Sequence, residues 1–341
     1  MRLIHQISLV SHKYIGIQHG IYCKSEIEME AITTFVSSRG LLKICGAQNS
    51  TPISSSTQIE ADLFIKSARN QSIYICTDAL LSFSESFIDQ IKYPFTLVTG
   101  DSDTPINNNL IQHEPIKKVL NHPHLVNWYA QNMIADHPKL HQMPIGMDYH
   151  TMWERRGTWG LAQQSPIAQE RVLMNTLAQA PDFSDRFFAG YCNWHFAIDR
   201  GDRQECLEKI DKDISLIEKN HLPRISTWQR QAECMFVISP EGAGIDCHRT
   251  WEAILLGCVP VVKKNKFSSL FNRLPVVMLN DWSEFNSTHM IQQVDRLKNK
   301  KFNFNPMFLR YWEEKINGKT RFNLPDMSIK EFKNFLCRES F

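Results

Sequence analysis

The chain has 341 residues, of which 43% are hydrophobic and 22% are charged, as is typical of a soluble globular protein with room for two domains. Its formal net charge of +2 is too small to predict nucleic-acid binding from bulk electrostatics. The basic clusters at 263–266 and 298–301 are typical of solvated surface, and peripheral contact with an anionic membrane or a lipid-linked molecule is the alternative.

The cysteines and the N-terminus indicate a cytoplasmic protein. The nine cysteines form no C-x-x-C pair, and several lie in apolar runs, where Cys behaves as a small hydrophobic residue. Their odd number and irregular spacing favour a reducing compartment. The opening residues, MRLIHQISLV, are too short and too polar a stretch to predict a signal peptide or a membrane span.

Short apolar runs alternate with amphipathic stretches along the chain. In the first 150 residues, the pattern predicts helices at Glu26–Ser38 and Ser82–Ile91 and strands at Leu41–Ala47, Ile73–Cys76 and Phe95–Thr99. Alternating strands and helices predict parallel sheets with right-handed crossovers, and therefore an α/β fold.

The second half of the chain continues this alternation. Residues 151–170 are polar and rich in turn formers, which predicts a linker between two Rossmann-like domains that face a cleft. The expected domains are 1–155 and 156–305. The predicted elements after the linker are helices at 170–181, Glu205–Glu218 and Asp246–Leu256 and strands beginning at Arg186–Ala189 and spanning Met235–Ile238, Val259–Val262 and Val276–Leu279.

The last segment, residues 306–341, is expected to be helical. Tyr311, Trp312 and Phe332 have a spacing that fits one helical face. We expect this segment to pack back on the first domain.

The sequence Thr99-Gly100-Asp101-Ser102-Asp103 follows a predicted apolar strand. Loops at the carboxyl ends of strands build binding sites in open α/β sheets, so Asp101 and Asp103 are candidates for a catalytic cleft. Two carboxylates at this spacing can hold Mg²⁺ or Mn²⁺, which would neutralise a diphosphate. A polar turn at a strand end is the favoured interpretation, and no metal requirement is predicted.

The sequence Pro144-Ile145-Gly146-Met147-Asp148-Tyr149-His150 ends the predicted first domain and should border the cleft. A carboxylate or an imidazole there can take a proton from an attacking hydroxyl group. Asp148 and His150 are therefore candidate general bases. A turn aspartate and a surface histidine are an equally good interpretation of the same residues.

Residues 236–262, FVISPEGAGIDCHRTWEAILLGCVPVV, have the pattern strand, Gly-rich loop, helix, strand. Gly242 and Gly244 would let backbone N–H groups approach a ligand closely. Asp246 is the expected N-cap of a helix that ends before Gly257. A helix that starts after such a loop offers unpaired N–H groups and a positive dipole end to an anion.

Charged residues occupy the first turns of this predicted helix. Arg249 has the planar guanidinium that suits phosphate. Glu252 should lie beside Arg249 and His248 on the helix surface, where its carboxylate can accept hydrogen bonds from ribose hydroxyls. The segment therefore predicts a site for a diphosphate attached to a sugar or nucleoside, with an ordinary βαβ unit and a surface ion pair as the alternative.

The same residues resemble the nucleotide-sugar signature of exostosin-like glycosyltransferases, roughly F-x-[IL]-x-P-x-G-x-G-x-D-x-x-R-x-[WF]-E-A-[IL]-x-x-G-C-[IV]-P-V. The resemblance covers residues 236–262, and the rest of the chain agrees with the family only in its layout. The matching residues are Phe236, Pro240, Gly242, Gly244, Asp246, Arg249, Trp251, Glu252, Ala253, Gly257, Cys258, Pro260 and Val261.

The chain departs from this signature at Glu241, where family members often have Arg. One charge that would neutralise phosphate is therefore missing or supplied from elsewhere. Arg200 and Arg203, which precede a predicted helix of the second domain, are the candidates to replace it. Asp199 and Asp202 are their neighbours in sequence, so a local set of surface salt bridges is the competing interpretation.

The resemblance implies a GT-B architecture and transfer of a sugar, with inversion, from a nucleotide-sugar to a hydroxyl of a glycan or glycolipid acceptor. The donor is expected to be UDP-linked, with Ser239 near the base. Animal and plant members are usually anchored in the secretory pathway, so a chain without such an anchor is typical of a bacterial or viral form. Two alternatives remain: a metal-dependent GT-A-like transferase centred on Asp101 and Asp103, and a non-catalytic sugar- or nucleotide-binding protein.

Overall fold

Two parallel β-sheets organise the part of the chain that the computed structural model describes, residues 30–60, 63, 72–154, 164–298 and 300–338. Every strand pair within these sheets is parallel. Helices connect most of the successive strands, as is usual for parallel pairing, whereas β3 and β4 are joined by residues 131–139 without a helix. The expected α/β fold with two Rossmann-like parallel sheets is confirmed.

The first sheet contains four strands in the order β1-β2-β3-β4. Strand β2 is buried along its whole length, which explains its continuous apolar run. The strands are β1 Ser72–Cys76, β2 Phe95–Gly100, β3 Leu125–Ala130 and β4 Leu140–Gln142. The helices of this half are α1 Ser38–Lys43, α2 Leu80–Ser86, α3 Asn108–Gln112 and α4 Glu114–Leu120.

The second sheet contains five strands in the order β6-β5-β7-β8-β9. The strands are β5 Phe187–Cys192, β6 Ser215–Ile217, β7 Cys234–Ile238, β8 Val259–Lys263 and β9 Val277–Leu279. The remaining helices are α5 His150–Glu154, α6 Pro166–Gln179, α7 Arg203–Lys209, α8 Arg224–Ala232, α9 His248–Leu255, α10 Ser287–Lys298, α11 Leu309–Ile316 and α12 Ile329–Arg338.

The order of the second sheet contains a reversal. The chain runs from β5 outward to β6 and then returns to β7 on the other side of β5. In parallel sheets, the connections at such a reversal leave in opposite directions and open a crevice at the carboxyl ends of the two strands. The loops that follow β5 and β7 therefore border the natural binding position of this half.

Several predicted elements were wrong in type or extent. The predicted strand Leu41–Ala47 begins inside helix α1, where the Ser37 hydroxyl caps the helix by accepting from the N–H of Gly40. The predicted helix Glu205–Glu218 is correct only as far as Lys209, since β6 follows within its predicted range. The helix expected at Glu26–Ser38 is absent over 32–37, and its first four residues lie outside the described part of the chain.

The predicted linker contains the end of α5 and the start of α6, while residues 155–163 lie outside the described part of the chain. The last segment contacts both halves. The N–H of Leu309 donates to the carbonyl of Thr34 over 3.0 Å, and the Lys333 ammonium lies 3.2 Å from Asp182 Oδ1. The domain boundaries at 155 and 305 stay a prediction.

None of the helices in the described residues combines the length and the apolar character that a membrane crossing requires.

Candidate functional site

A cleft of about 470 Å³ opens where the strand order of the second sheet reverses. Its walls come from the loops after β5 and β7 and from helices α8 and α9. Three residues of the first half, Asp103, Ile145 and Asp148, complete the lining. The cleft therefore lies between the two sheets, at the position that the topology favours for a ligand.

Most of the residues that the sequence predicted for the site meet in this cleft. Three do not line it: Asp101, His150 and Ser239. Ser239 lies directly behind the wall, where its hydroxyl accepts from Arg249 Nε over 3.1 Å. The predicted residues that line the cleft are Asp103, Asp148, Arg200, Arg203, Gly242, Gly244, Asp246, His248, Arg249 and Glu252.

The N-terminus of α9 points unpaired N–H groups toward this cleft. The helix begins at His248, and the side chain of its cap, Cys247, accepts no hydrogen bond from the first turn; the thiol donates to the carbonyl of Pro240 over 3.5 Å. Within the described residues, no group accepts from the N–H of His248 or Arg249. These donors and the positive end of the helix dipole make the helix start suitable for an anion.

Three guanidinium groups, those of Arg200, Arg203 and Arg249, line the same wall. No carboxylate of the described residues lies within 4.0 Å of any of them. Arg203 Nη1 donates to the carbonyl of Ala197 over 3.0 Å, and Arg249 Nη2 donates to the carbonyl of Pro240. Burial and the positive charges of Arg249 and Arg200 lower the pKa of Arg203, while the charge of Asp199 acts in the opposite direction. The cluster therefore has three positive charges and no directly paired carboxylate among the described residues.

The competing interpretation, local salt bridges of Asp199 and Asp202, is not supported, since neither aspartate forms an ion pair with another described residue. Asp202 Oδ1 accepts from the N–H of Glu241 over 2.8 Å, and its Oδ2 accepts from Trp282 Nε1 over 2.7 Å. Asp202 therefore ties the Gly-rich loop to a neighbouring turn and does not neutralise Arg203.

Glu241 faces away from the cleft. Its Oε1 accepts from Asn265 Nδ2 over 2.7 Å, and burial raises the pKa of its carboxyl group. Because the side chain lies on the other side of the loop, this substitution puts no negative charge among the three arginines.

A second group of charges forms a buried ion-pair network across the two halves. Arg224, the first residue of α8, lies 3.1 Å from Asp148 Oδ2 and also donates to Glu252 Oε1. Trp228, one turn further on, donates from Nε1 to Glu252 Oε2 over 3.0 Å. The charged side chains are no more than 8% exposed. The surface ion pair of Glu252 with Arg249, which was the alternative interpretation of the sequence, is therefore not formed. The network includes Arg224, which was not among the residues predicted from the sequence.

Asp148 is held as a carboxylate in this network. Burial alone would raise its pKa, but His150, Arg224 and His248 together hold the pKa of Asp148 well below its usual range. Its Oδ1 also accepts from the N–H of Thr151 over 3.1 Å. His150 stands 3.3 Å from Asp148 Oδ1, and burial lowers the pKa of this imidazole. Asp148 is thus placed to fix Arg224 and the local fold.

Asp246 joins the halves and does not cap α9 as expected. Its Oδ2 accepts from the N–H of Ile145 over 2.8 Å, and Trp251 Nε1 donates to the same oxygen over 2.8 Å. In return, the N–H of Asp246 donates to Asn132 Oδ1 over 2.9 Å. Burial raises the pKa of Asp246 to about 6. This aspartate of the signature therefore holds the first half against the Gly-rich loop.

Asp101 and Asp103 do not present their carboxylates to the cleft together. Asp101 lies outside it, pairs with Arg39 Nη1 at 3.0 Å, and accepts from the Ser54 hydroxyl over 2.8 Å. Asp103 lines the cleft. Among the described residues, no group of three or more His, Cys, Asp or Glu has a metal-binding arrangement. The residues therefore do not fit the metal site of a D-x-D motif, because one of its two carboxylates is already neutralised by Arg39.

The sequence matches no family model and no curated protein. Among solved structures, the chain is similar to an alpha,alpha-trehalose-phosphate synthase (UDP-forming) from Burkholderia vietnamiensis, with 9% identity and a TM-score of 0.32. The match covers 83% of this chain and 77% of that chain. A similarity this low leaves the function of the cleft to be argued from its own residues.

Proposed function

We propose that the protein is a glycosyltransferase that takes a sugar from a nucleotide-sugar donor, with the donor diphosphate bound in the cleft. The supporting observation is the cluster of Arg200, Arg203 and Arg249, which has no carboxylate partner among the described residues. Three like charges in one wall repel each other, and a diphosphate is an anion of the size and charge to offset that repulsion. The unpaired N–H groups at the start of α9 add donors for the same anion.

The resemblance of 236–262 to exostosin-like transferases supports a UDP-linked donor and inversion at the anomeric carbon. A hydroxyl of a glycan or glycolipid acceptor would attack that carbon from the side of the first half. The bond to phosphate breaks, and its electron pair leaves with the diphosphate. The arginines and the N–H groups of α9 stabilise the growing negative charge, and this contribution to catalysis is fixed by the fold before the reaction starts.

A ligand series tests this proposal. Isothermal titration with UDP, UMP and uridine should give the highest affinity for UDP, because each phosphate removed loses contacts with the arginines. We expect a loss of at least about tenfold from UDP to uridine. Equal affinities for UDP and uridine, or no binding of any nucleoside diphosphate, would contradict it.

Turnover separates an enzyme from a binding protein. Incubation of the protein with a panel of nucleotide-sugars should release nucleoside diphosphate from one of them, measured by a coupled assay or by NMR. Binding without release or transfer for every donor, with and without saccharide acceptors, would favour the non-catalytic alternative.

A further inference from the structure

One ring nitrogen of His248 is held by a hydrogen bond, and the other has no hydrogen-bond partner among the described residues. Its Nδ1 lies 2.8 Å from the carbonyl oxygen of Gly146, which can only accept a hydrogen bond. Nδ1 must therefore be the protonated nitrogen, and in the neutral imidazole the lone pair is on Nε2. No described residue forms a hydrogen bond with Nε2, and His248 lines the cleft.

The contact with Gly146 fixes the direction of the ring. Gly146 has a φ of +68°, and a Cβ at this position would lie 2.3 Å from the carbonyl oxygen of Val36. The loop at Gly146 therefore packs closely on the backbone of Val36 in a conformation that only glycine adopts without strain. A carbonyl held this firmly orients His248 as a carboxylate or carbonyl orients the histidine in many acid–base sites.

The carboxylates of the cleft are less suitable as proton acceptors, and the ring of His221, which also lines the cleft, packs on Phe196 with 5.1 Å between the ring centroids. Asp148, Asp246 and Glu252 each have both carboxylate oxygens engaged by N–H groups or by Arg224. Asp103 remains, but it is exposed, and no described residue orients its carboxylate by a hydrogen bond. A general base must be held close to the attacking hydroxyl and must have a free lone pair. Among these groups, only His248 is both held in position and left with such an atom, Nε2.

On the basis of the proposed sugar transfer, we propose that His248 is the general base that deprotonates the acceptor. The acceptor O–H proton moves to Nε2 as the oxygen forms its bond to the anomeric carbon. The bond from that carbon to the diphosphate breaks at the same time, and the electron pair leaves with the diphosphate. His248 directly precedes Arg249 in α9, so one helical turn serves both the entering oxygen and the leaving group.

The test compares His248→Asn with the intact protein. The Asn side-chain amide can still donate to the Gly146 carbonyl, while Nε2 is removed. We expect turnover with the donor found in the panel to fall about 10²- to 10⁴-fold, the usual contribution of a general base. Affinity for UDP should stay within about threefold, since the diphosphate contacts are unchanged. His289→Asn in α10, at a histidine that does not line the cleft, is the matched control.

Each outcome decides between hypotheses. Unchanged turnover of His248→Asn would overturn the assignment, and so would an equal loss of turnover in Asp103→Asn. A loss of UDP affinity that matches the loss of turnover would assign His248 to binding and also overturn it. If the intact protein neither binds nucleoside diphosphates nor consumes any nucleotide-sugar, the proposed function itself fails. A thermal unfolding curve of each variant separates these effects from misfolding.

Discussion

Helix α9 contributes one residue to each of two groups of charged side chains, one in which the charges are paired and one in which they have the same sign. Glu252 faces Arg224, which also pairs with Asp148, so this buried network closes on itself. Arg249, three residues earlier, lies in one wall with Arg203 and Arg200, and no carboxylate of the described residues is within 4.0 Å of these three groups. A paired group offsets its own desolvation, whereas a group of like charges is costly until an anion arrives. The comparison separates a network that holds the fold from a cluster that suits a ligand.

Removing the centre of the paired network should have the largest effect. In Arg224→Met, two buried carboxylates lose their cation, and we expect the free energy of unfolding to fall by about 3–5 kcal/mol. Urea denaturation at pH 7 measures this loss. Arg230→Met is the control, because Arg230 is 42% exposed in its pairs with Glu218 and Glu233. If both variants lose the same amount, the buried network does not hold the fold.

Glu170 is an intermediate case, a buried carboxyl group that is satisfied without a cation. It accepts from the N–H groups of Thr34 and Phe35 at 3.0 and 3.1 Å, and burial raises its pKa to about 8. Because the pKa is higher in the folded protein, the protonated Glu170 side chain stabilises the fold. This stabilisation is complete below pH 4.5, the pKa in the unfolded chain, and is lost as the pH rises through about 8.

Glu170→Gln should therefore flatten the dependence of the unfolding free energy on pH. We expect the intact protein to lose on the order of 2 kcal/mol more than the variant between pH 5 and pH 9, measured by urea denaturation at several pH values. Burial also raises the pKa of Glu30 to about 8. Because Glu30 is present in both proteins, its effect cancels when the curve of the variant is subtracted from that of the intact protein. Parallel curves would show that Glu170 ionises normally in the fold.

The unpaired cluster should respond in the opposite sense to the paired network. Arg203→Ala removes a charge that repels Arg249, so the free energy of unfolding without ligand should stay within about 1 kcal/mol of the intact value or rise. Affinity for UDP should fall about 10- to 100-fold, since a charge-assisted contact is lost. Titration calorimetry and urea denaturation of the same preparation measure both quantities. A large loss of stability with unchanged affinity would make Arg203 a structural residue.

The smallest effect is expected at the edge of the cluster. A Cβ at Gly244 would lie 3.0 Å from Asn132 Nδ2 and 3.1 Å from Asp103 Oδ1, so these neighbours must shift by a few tenths of an ångström. Gly244→Ala should cost less than about 1 kcal/mol of unfolding free energy and only a few-fold in UDP affinity. A loss as large as that of Arg203→Ala would mean that the loop backbone, more than the arginines, binds the ligand.

The sequence predicted the local parts of the molecule well. Strands such as β7 and β8 are short apolar runs next to glycines, and their signal is contained within a few residues. The run at Leu41–Ala47 is also mostly apolar, but its first residues belong to helix α1, whose start is fixed by the bond from the N–H of Gly40 to the Ser37 hydroxyl. A short apolar run cannot distinguish the two structures without its tertiary contacts.

The candidate site was predictable in its residue types but not in its pairing. The Gly-rich loop and Arg249 have a local signature, and they line the cleft. The partner of Glu252 is Arg224, which is 28 residues away in sequence, and Asp148 is 76 residues from that arginine. No local pattern connects these three residues. Pro223, just before helix α8, could have indicated the start of the helix, but not what its first residue contacts.

A structure of the protein with a bound UDP-sugar tests the central claim most directly. We expect the diphosphate at the start of α9, within hydrogen-bond distance of Arg203, Arg249 and the N–H of His248, while Arg224 stays paired with Asp148 and Glu252. A diphosphate bound elsewhere, with the three arginines of the cleft still without an anion, would contradict it.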